Sequence, residues 1–212
     1  MSKVSPTDSP LITCIGSALQ DIFVNVSDTE SAFVRAEHLI LTLGAKVNVD
    51  YPTMDVGGGA TNAAVNMACQ GLSTALISNI AADEAGERIQ TRLNEKGIST
   101  QLLHVDKSKD AQTGMSVIIN VPGKDRTAMV SRGVSKHLDV SNIDWKTLKK
   151  SKWLYVASFG SLKPETDYAQ IGQFAQENGI KLAFNPGLDQ IKQGKNALGA
   201  MVSHADVLIM NV

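Results

Sequence analysis

The chain has 212 residues, with 20 basic and 21 acidic side chains and a formal net charge of -1. Hydrophobic residues make up 43% and charged residues 19%, which requires a globular core and excludes a disordered chain. The charge balance argues against a surface devoted to nucleic acid or membrane, so any bound anion has to be held by local geometry.

Residues 1–10, "MSKVSPTDSP", are polar, lack the apolar stretch of a secretory leader and read as a flexible tail. No run approaches the roughly 18 apolar residues of a membrane span. Cys14 and Cys69 form no CxxC pair, and both read as small buried hydrophobes in a reducing, cytoplasmic setting.

"LITCIGS" (11–17) is a short apolar run closed by glycine and predicts a buried strand. "DIFVNVSD" (21–28) and "KVNVDYPTMD" (46–55) alternate polar and apolar residues, the pattern of antiparallel strands with one wetted face. "MDVGGGATNAAVNMACQG" (54–71) then sets three glycines before a run of helix formers. Such a turn leaves main-chain N–H groups at a helix mouth, open to close approach because glycine has no Cβ. A plain strand-to-helix turn needing positive φ is the alternative.

"STALISNIA" (73–81) repeats the buried-strand pattern, and residues 84–96 predict a helix. Residues 114–133 alternate again around "VPGKDR", a hairpin signal. Strands follow at 152–160, 180–187 and 205–212, with helices at 166–178 and 197–204 between them. Gly71, Gly97 and Gly179 stand where helices should stop. Alternating strands and helices predict an α/β fold, a mainly parallel sheet flanked by helices in three layers. The alternating segments, at about 21–56 and 112–133, predict a small β-sheet lid over the carboxyl ends of the parallel strands; an extension of the main sheet is the alternative.

Asp21, Asn62, Asn185 and Asn211 fall near predicted strand ends or at the mouth of a predicted helix. Each alone is ordinary turn chemistry, but together they would line one crevice. Nothing matches GxxxxGK[ST], and Asn62 breaks a GxGxxG reading; after the first strand only Gly16 is present, which speaks against a dinucleotide-binding domain. His38, His104, His137 and His204 show no metal-site spacing.

The order "IGSALQD", "GGGATNAAVNMACQG", "NIAADEAGERI", "TGMSVIINVPGKDRTAMVSRG", "LAFNPG" and "DVLIMN" resembles the ribokinase-like (PfkB) family of carbohydrate and nucleoside kinases, from about Leu11 to Val212. The resemblance implies that Asp21, Gly58, Gly59 and Asn62 bind the hydroxyls of a phosphate acceptor. It implies that Asn185 and Asn211 lie towards the phosphates of ATP and the water shell of Mg²⁺, and that two lids pair in a homodimer. A carboxylate takes two hydroxyl protons with charge-assisted strength, and exposed amides with a two-sided Asn cover the rest.

The chain departs from the family pattern at Ala81 and Ala82, and at Val134 and Ser135. Where some members carry a substrate-binding Glu it has Ala157, Ser158 and Phe159; Ser158 is then the substrate-side candidate, while Phe159 stacks on a ring or belongs to the core. Arg132 either meets an anionic substrate or is a surface arginine. No "GAGD"-type stretch occurs, so the catalytic base is expected beyond Val212. Residues 11–212 then form an incomplete kinase core, the N-terminal portion of a longer enzyme that moves the ATP γ-phosphate to a primary hydroxyl. On its own the chain is expected to be inactive. The alternatives are a catalytically inactive sugar- or nucleoside-binding relative and a non-functional fragment.

Overall fold

The computed structural model describes residues 11–27, 32–192 and 194–210. The apolar runs become short parallel strands: β1 (Ile12–Ile15), β6 (Thr74–Ile77), β11 (Trp153–Val156), β12 (Lys181–Phe184) and β13 (Val207–Leu208). They form one sheet in the order β13-β12-β11-β1-β6, with Ile12 beside Trp153 on one side and Thr74 on the other. The central position of β1 explains its composition: "TCI" is fully buried, as a strand covered on both faces must be.

Helices cover both faces. On one side α1 (Gly59–Cys69) and α2 (Glu84–Glu95) lay Ala60, Ala64, Ile89 and Leu93 against Cys14, Leu76 and Ala157. On the other, α4 (Pro164–Glu177) and α6 (Lys195–Val202) pack Tyr168, Ile171, Ala175 and Met201 against Leu154, Val156, Leu182 and Phe184. This is the expected three-layer arrangement. Two short helices, α3 (Trp145–Leu148) and α5 (Leu188–Lys192), span too few turns to show a period in the sequence.

A second sheet holds β2 (Leu19–Asn25), β5 (Thr53–Gly57), β9 (Thr113–Asn120) and β10 (Thr127–Gly133), in the order β10-β9-β2-β5. β9 and β10 form the expected hairpin, and β2 runs antiparallel to β5. The purely antiparallel expectation fails at one place: β2 and β9 are parallel, from Leu19 opposite Gly114 to Asn25 opposite Asn120. Alternation reports a half-wetted face but carries no information on direction. Residues 46–52 do not form a strand; Val49 makes only an isolated bridge to Val26.

Two pairings were not anticipated: the hairpin of β3 (Ala32–Arg35) and β4 (His38–Leu41), and the parallel pair of β7 (Asn79–Ala81) and β8 (His104–Asp106). The β3–β4 turn uses Ala36 at φ 54, so no glycine, proline or asparagine announces it. Cys14 is buried, which pushes its thiol up to about 12, but Cys69 is exposed, against expectation. It sits in the last turn of α1 on the solvent side, where helical spacing takes it off the face holding Ala60 and Ala64.

Asp83 ties the second sheet to the core. It caps α2 by accepting the Gly86 N–H (2.8 Å), and it accepts both the N–H (2.8 Å) and the hydroxyl (2.6 Å) of Thr113 at the start of β9. Partial burial pushes the Asp83 carboxyl up, but these hydrogen bonds outweigh it and hold the group below the usual carboxylate range. The stabilisation is in place above the unfolded carboxylate value and is lost as pH falls through the lower folded value. Asp83→Ala is expected to lower the unfolding free energy by about 1–2 kcal/mol at neutral pH. Urea denaturation at a series of pH values should show variant and parent converging in acid.

Candidate functional site

The triple glycine is placed by three different contacts. A Cβ on Gly57, the last residue of β5, would fall on the carboxyl group of Asp21. Gly58 has φ 97 and ψ 143 and caps α1 without a side chain, and a Cβ there would collide with the Ser17 carbonyl. Gly59 opens the helix, its Cβ position 3.2 Å from the Ala157 methyl. The first turn of α1 contains no acidic residue, so its N-terminal dipole is not offset by the chain's own carboxylates there.

Asp21 lies inside β2 rather than at the end of β1, which stops at Ile15. The carboxylate therefore belongs to the second sheet and reaches across it to the glycine turn. It is half-buried, with Asp55 opposite on β5 and Ser116 opposite on β9. The Ser116 hydroxyl donates to Asp21 Oδ1 at 2.5 Å. Asn62, in the first turn of α1, is exposed at the helix mouth, and its N–H is held by the Gly58 carbonyl (2.9 Å).

A second group stands at the carboxyl ends of β11 and β12. Ser158 is half-buried, and a Cβ on Gly187 would fall on its hydroxyl. Asn185 donates from Nδ2 to the Ile209 carbonyl (2.7 Å) and accepts from the Tyr155 hydroxyl (3.4 Å), so its side chain already joins two strand ends. The two groups are linked through Gly59 against Ala157 and through Gly16, whose Cβ position is 3.2 Å from the Ser158 carbonyl. Asn211 lies outside the described residues.

The remaining sequence candidates fall into place. Phe159 is a core residue, its ring edge-on to Tyr168 with centroids 5.1 Å apart. Arg132 is half-buried on β10, and a Cβ on Gly114 would meet its carbonyl. Ser135 is buried, its hydroxyl 2.8 Å from the carbonyls of both Ala18 and Asn79, which pins the chain after β10 to the loop before Asp21. Among the described residues no group of His, Cys, Asp and Glu could hold a metal ion, and no helix is long and apolar enough to cross a membrane. Sequence reading missed Ser116 and the role of Gly57, because each acts on Asp21 across strands and neither is near it in sequence.

The arrangement pairs a carboxylate with bare main chain at a helix mouth, a combination suited to a neutral ligand rich in hydroxyls. The model for "pfkB family carbohydrate kinase" matches residues 10–212. "Probable fructokinase-6, chloroplastic" of Arabidopsis thaliana is 25% identical over 193 residues, 88% of this chain and 45% of its own length. Ribokinase of Haemophilus influenzae is 26% identical over 140 residues, 64% of this chain and 43% of its own length. The chain therefore spans less than half the length of these curated relatives. Arabidopsis thaliana ribokinase, solved with ribose and ATP, superposes with a TM-score of 0.72 at 15% identity, covering 96% of this chain and 61% of its own.

Gly57→Ala places a methyl where the Asp21 carboxyl lies, so either the carboxylate or β5 has to move. The variant is expected to lose about 1–3 kcal/mol of stability. Urea denaturation checks the loss, and an unchanged midpoint would show that the contact is not tight.

Proposed function

The chain belongs to the pfkB family of carbohydrate kinases, and from that premise we propose that it supplies the acceptor-binding half of a sugar or nucleoside kinase. The observation that carries this is the Asp21 carboxyl seated on Gly57 beside the mouth of α1. Asp21 accepts hydrogen bonds from acceptor hydroxyls. The amides of Gly58 and Gly59 donate to acceptor oxygens, Asn62 does both, and Ser158 closes the far wall. Holding the acceptor in one orientation presents its primary hydroxyl to the phosphate donor, which is where this type of reaction gains most of its rate.

ATP with Mg²⁺ supplies the transferable phosphate when bound. Asn185 and Asn211 are the candidates for the phosphate side in this reading, and no GAGD-type stretch among the 212 residues supplies a base for the hydroxyl proton. The chain taken alone then binds acceptor without transferring phosphate. The second sheet acts as a lid that excludes water, the competing phosphoryl acceptor. Its register sets Met54, Ile22, Val117 and Met129 in one row across four strands, with Met54 and Met129 exposed. That apolar row supports assembly of two lids in a homodimer.

Asp21→Ala is expected to weaken acceptor binding at least tenfold, since losing a charged hydrogen-bond partner costs about 1.5–3 kcal/mol. Calorimetric titration of parent and variant with D-ribose, D-fructose and inosine checks it. Affinity retained within a factor of about two would count against the assignment.

A further inference from the structure

Resting on the acceptor-side reading, we propose that Ser116 is a positioning residue, which fixes the rotation of the Asp21 carboxylate so that it meets acceptor hydroxyls already oriented. Ser116 is in direct parallel register with Asp21, and its hydroxyl donates to Oδ1 at 2.5 Å. The direction of that bond is fixed by chemistry: an ionised carboxylate has no proton to give, so the serine's single proton goes to it.

Asp21 needs such a restraint. The terminal torsion of an aspartate is broad and nearly two-fold, so a half-buried carboxylate turns readily unless something holds it. On one side its neighbour is the bare Cα of Gly57, which limits position but offers no side-chain donor. Ser116 stands on the other side at 4% exposure, too buried to serve solvent. A hydroxyl so placed has to be satisfied within the protein, and its bond to Asp21 does this. The alternation of β9 supports the same conclusion. On this face Gly114 and Ile118 flank Ser116, a stretch where an apolar residue would pack as well if packing were the sole requirement. Ordering the carboxylate before the ligand arrives removes that cost from binding.

The test is calorimetric titration of the purified chain with D-ribose, D-fructose and inosine, comparing the parent with Ser116→Ala and Ser116→Thr. The proposal expects Ser116→Ala to weaken binding of whichever compound the parent takes by about three- to tenfold. It expects Ser116→Thr, which keeps the hydroxyl, to stay within about twofold. In an Asp21→Asn background the Ser116→Ala step should have a smaller effect, because the charge-assisted bond is already gone; a packing role would give the same loss in both backgrounds. If Ser116→Ala binds like the parent while Asp21→Ala does not bind, the positioning role falls and the acceptor site stands. If Ser116→Thr is as weak as Ser116→Ala, the positioning role likewise falls. If the parent binds none of the three compounds, the acceptor reading falls and takes this inference with it. Should Ser116→Ala fail to fold, Ser116→Cys, which keeps the size but donates only weakly, replaces it in both backgrounds, and binding like the parent's overturns the proposal.

Discussion

The carboxyl group of Asp21 rests against the bare Cα of Gly57, and this contact sets how closely β2 and β5 approach where the second sheet runs into α1. β2 and β5 are antiparallel neighbours, with Leu19 opposite Gly57 and Asp21 opposite Asp55. An ordinary side chain at 57 would push the carboxylate away or force β5 out of register. The next residue has its own constraint, since Gly58 turns at φ 97 directly against the Ser17 carbonyl. The first glycine admits a carboxylate and the second admits a neighbouring loop, which lets α1 start within reach of both.

The core is built to allow this closeness. α1 turns Ala60 and Ala64 to the sheet, and the Cβ position of Gly16 is 3.1 Å from the methyls of Ala60 and Ala157. Small residues here bring helix and strand together, and a larger side chain would lift the helix mouth from β2. The second sheet is fastened at its roots by side chains rather than by a large apolar interface. Asp83 holds Thr113 at the start of β9, and Ser135 bonds the Ala18 and Asn79 carbonyls just beyond β10. The apolar cluster it shares with the β3–β4 hairpin is small, centred on Val26, Ala32 and Ile119.

Much of the core was legible because local composition decides it. β1, β6, β11 and β12 are apolar runs that only a doubly covered sheet can bury, and the helices between them end near glycines. The second sheet was legible as alternating segments but not as a topology, since alternation is the same for parallel and antiparallel neighbours. The β3–β4 hairpin turns on Ala36, a residue with no turn signature. Within the candidate site, the glycines and Asn62 could be singled out because turn–helix chemistry marks them, whereas Asp21 reads in the sequence as a strand-end residue and stands inside β2. Ser116 could not, because it meets Asp21 from 95 residues away along the chain, and "TGMSVIIN" reads equally well without it. Asn185 was read as facing a ligand, yet its amide already bonds Ile209 and Tyr155, a use visible only once strand order is known.

The parallel pairing of β2 with β9 has a consequence for folding order. A hairpin closes within a few residues, but β2 and β9 are neighbours only after β6, α2 and their connections have been laid down between them. Closing so long a loop costs entropy that only a formed core can offset. The Asp21 carboxylate is therefore oriented late. A partly folded chain can own an intact parallel sheet and still leave Asp21 unplaced against Ser116 and Gly57, so the ordering of this carboxylate and bulk helix content should mature on separate clocks.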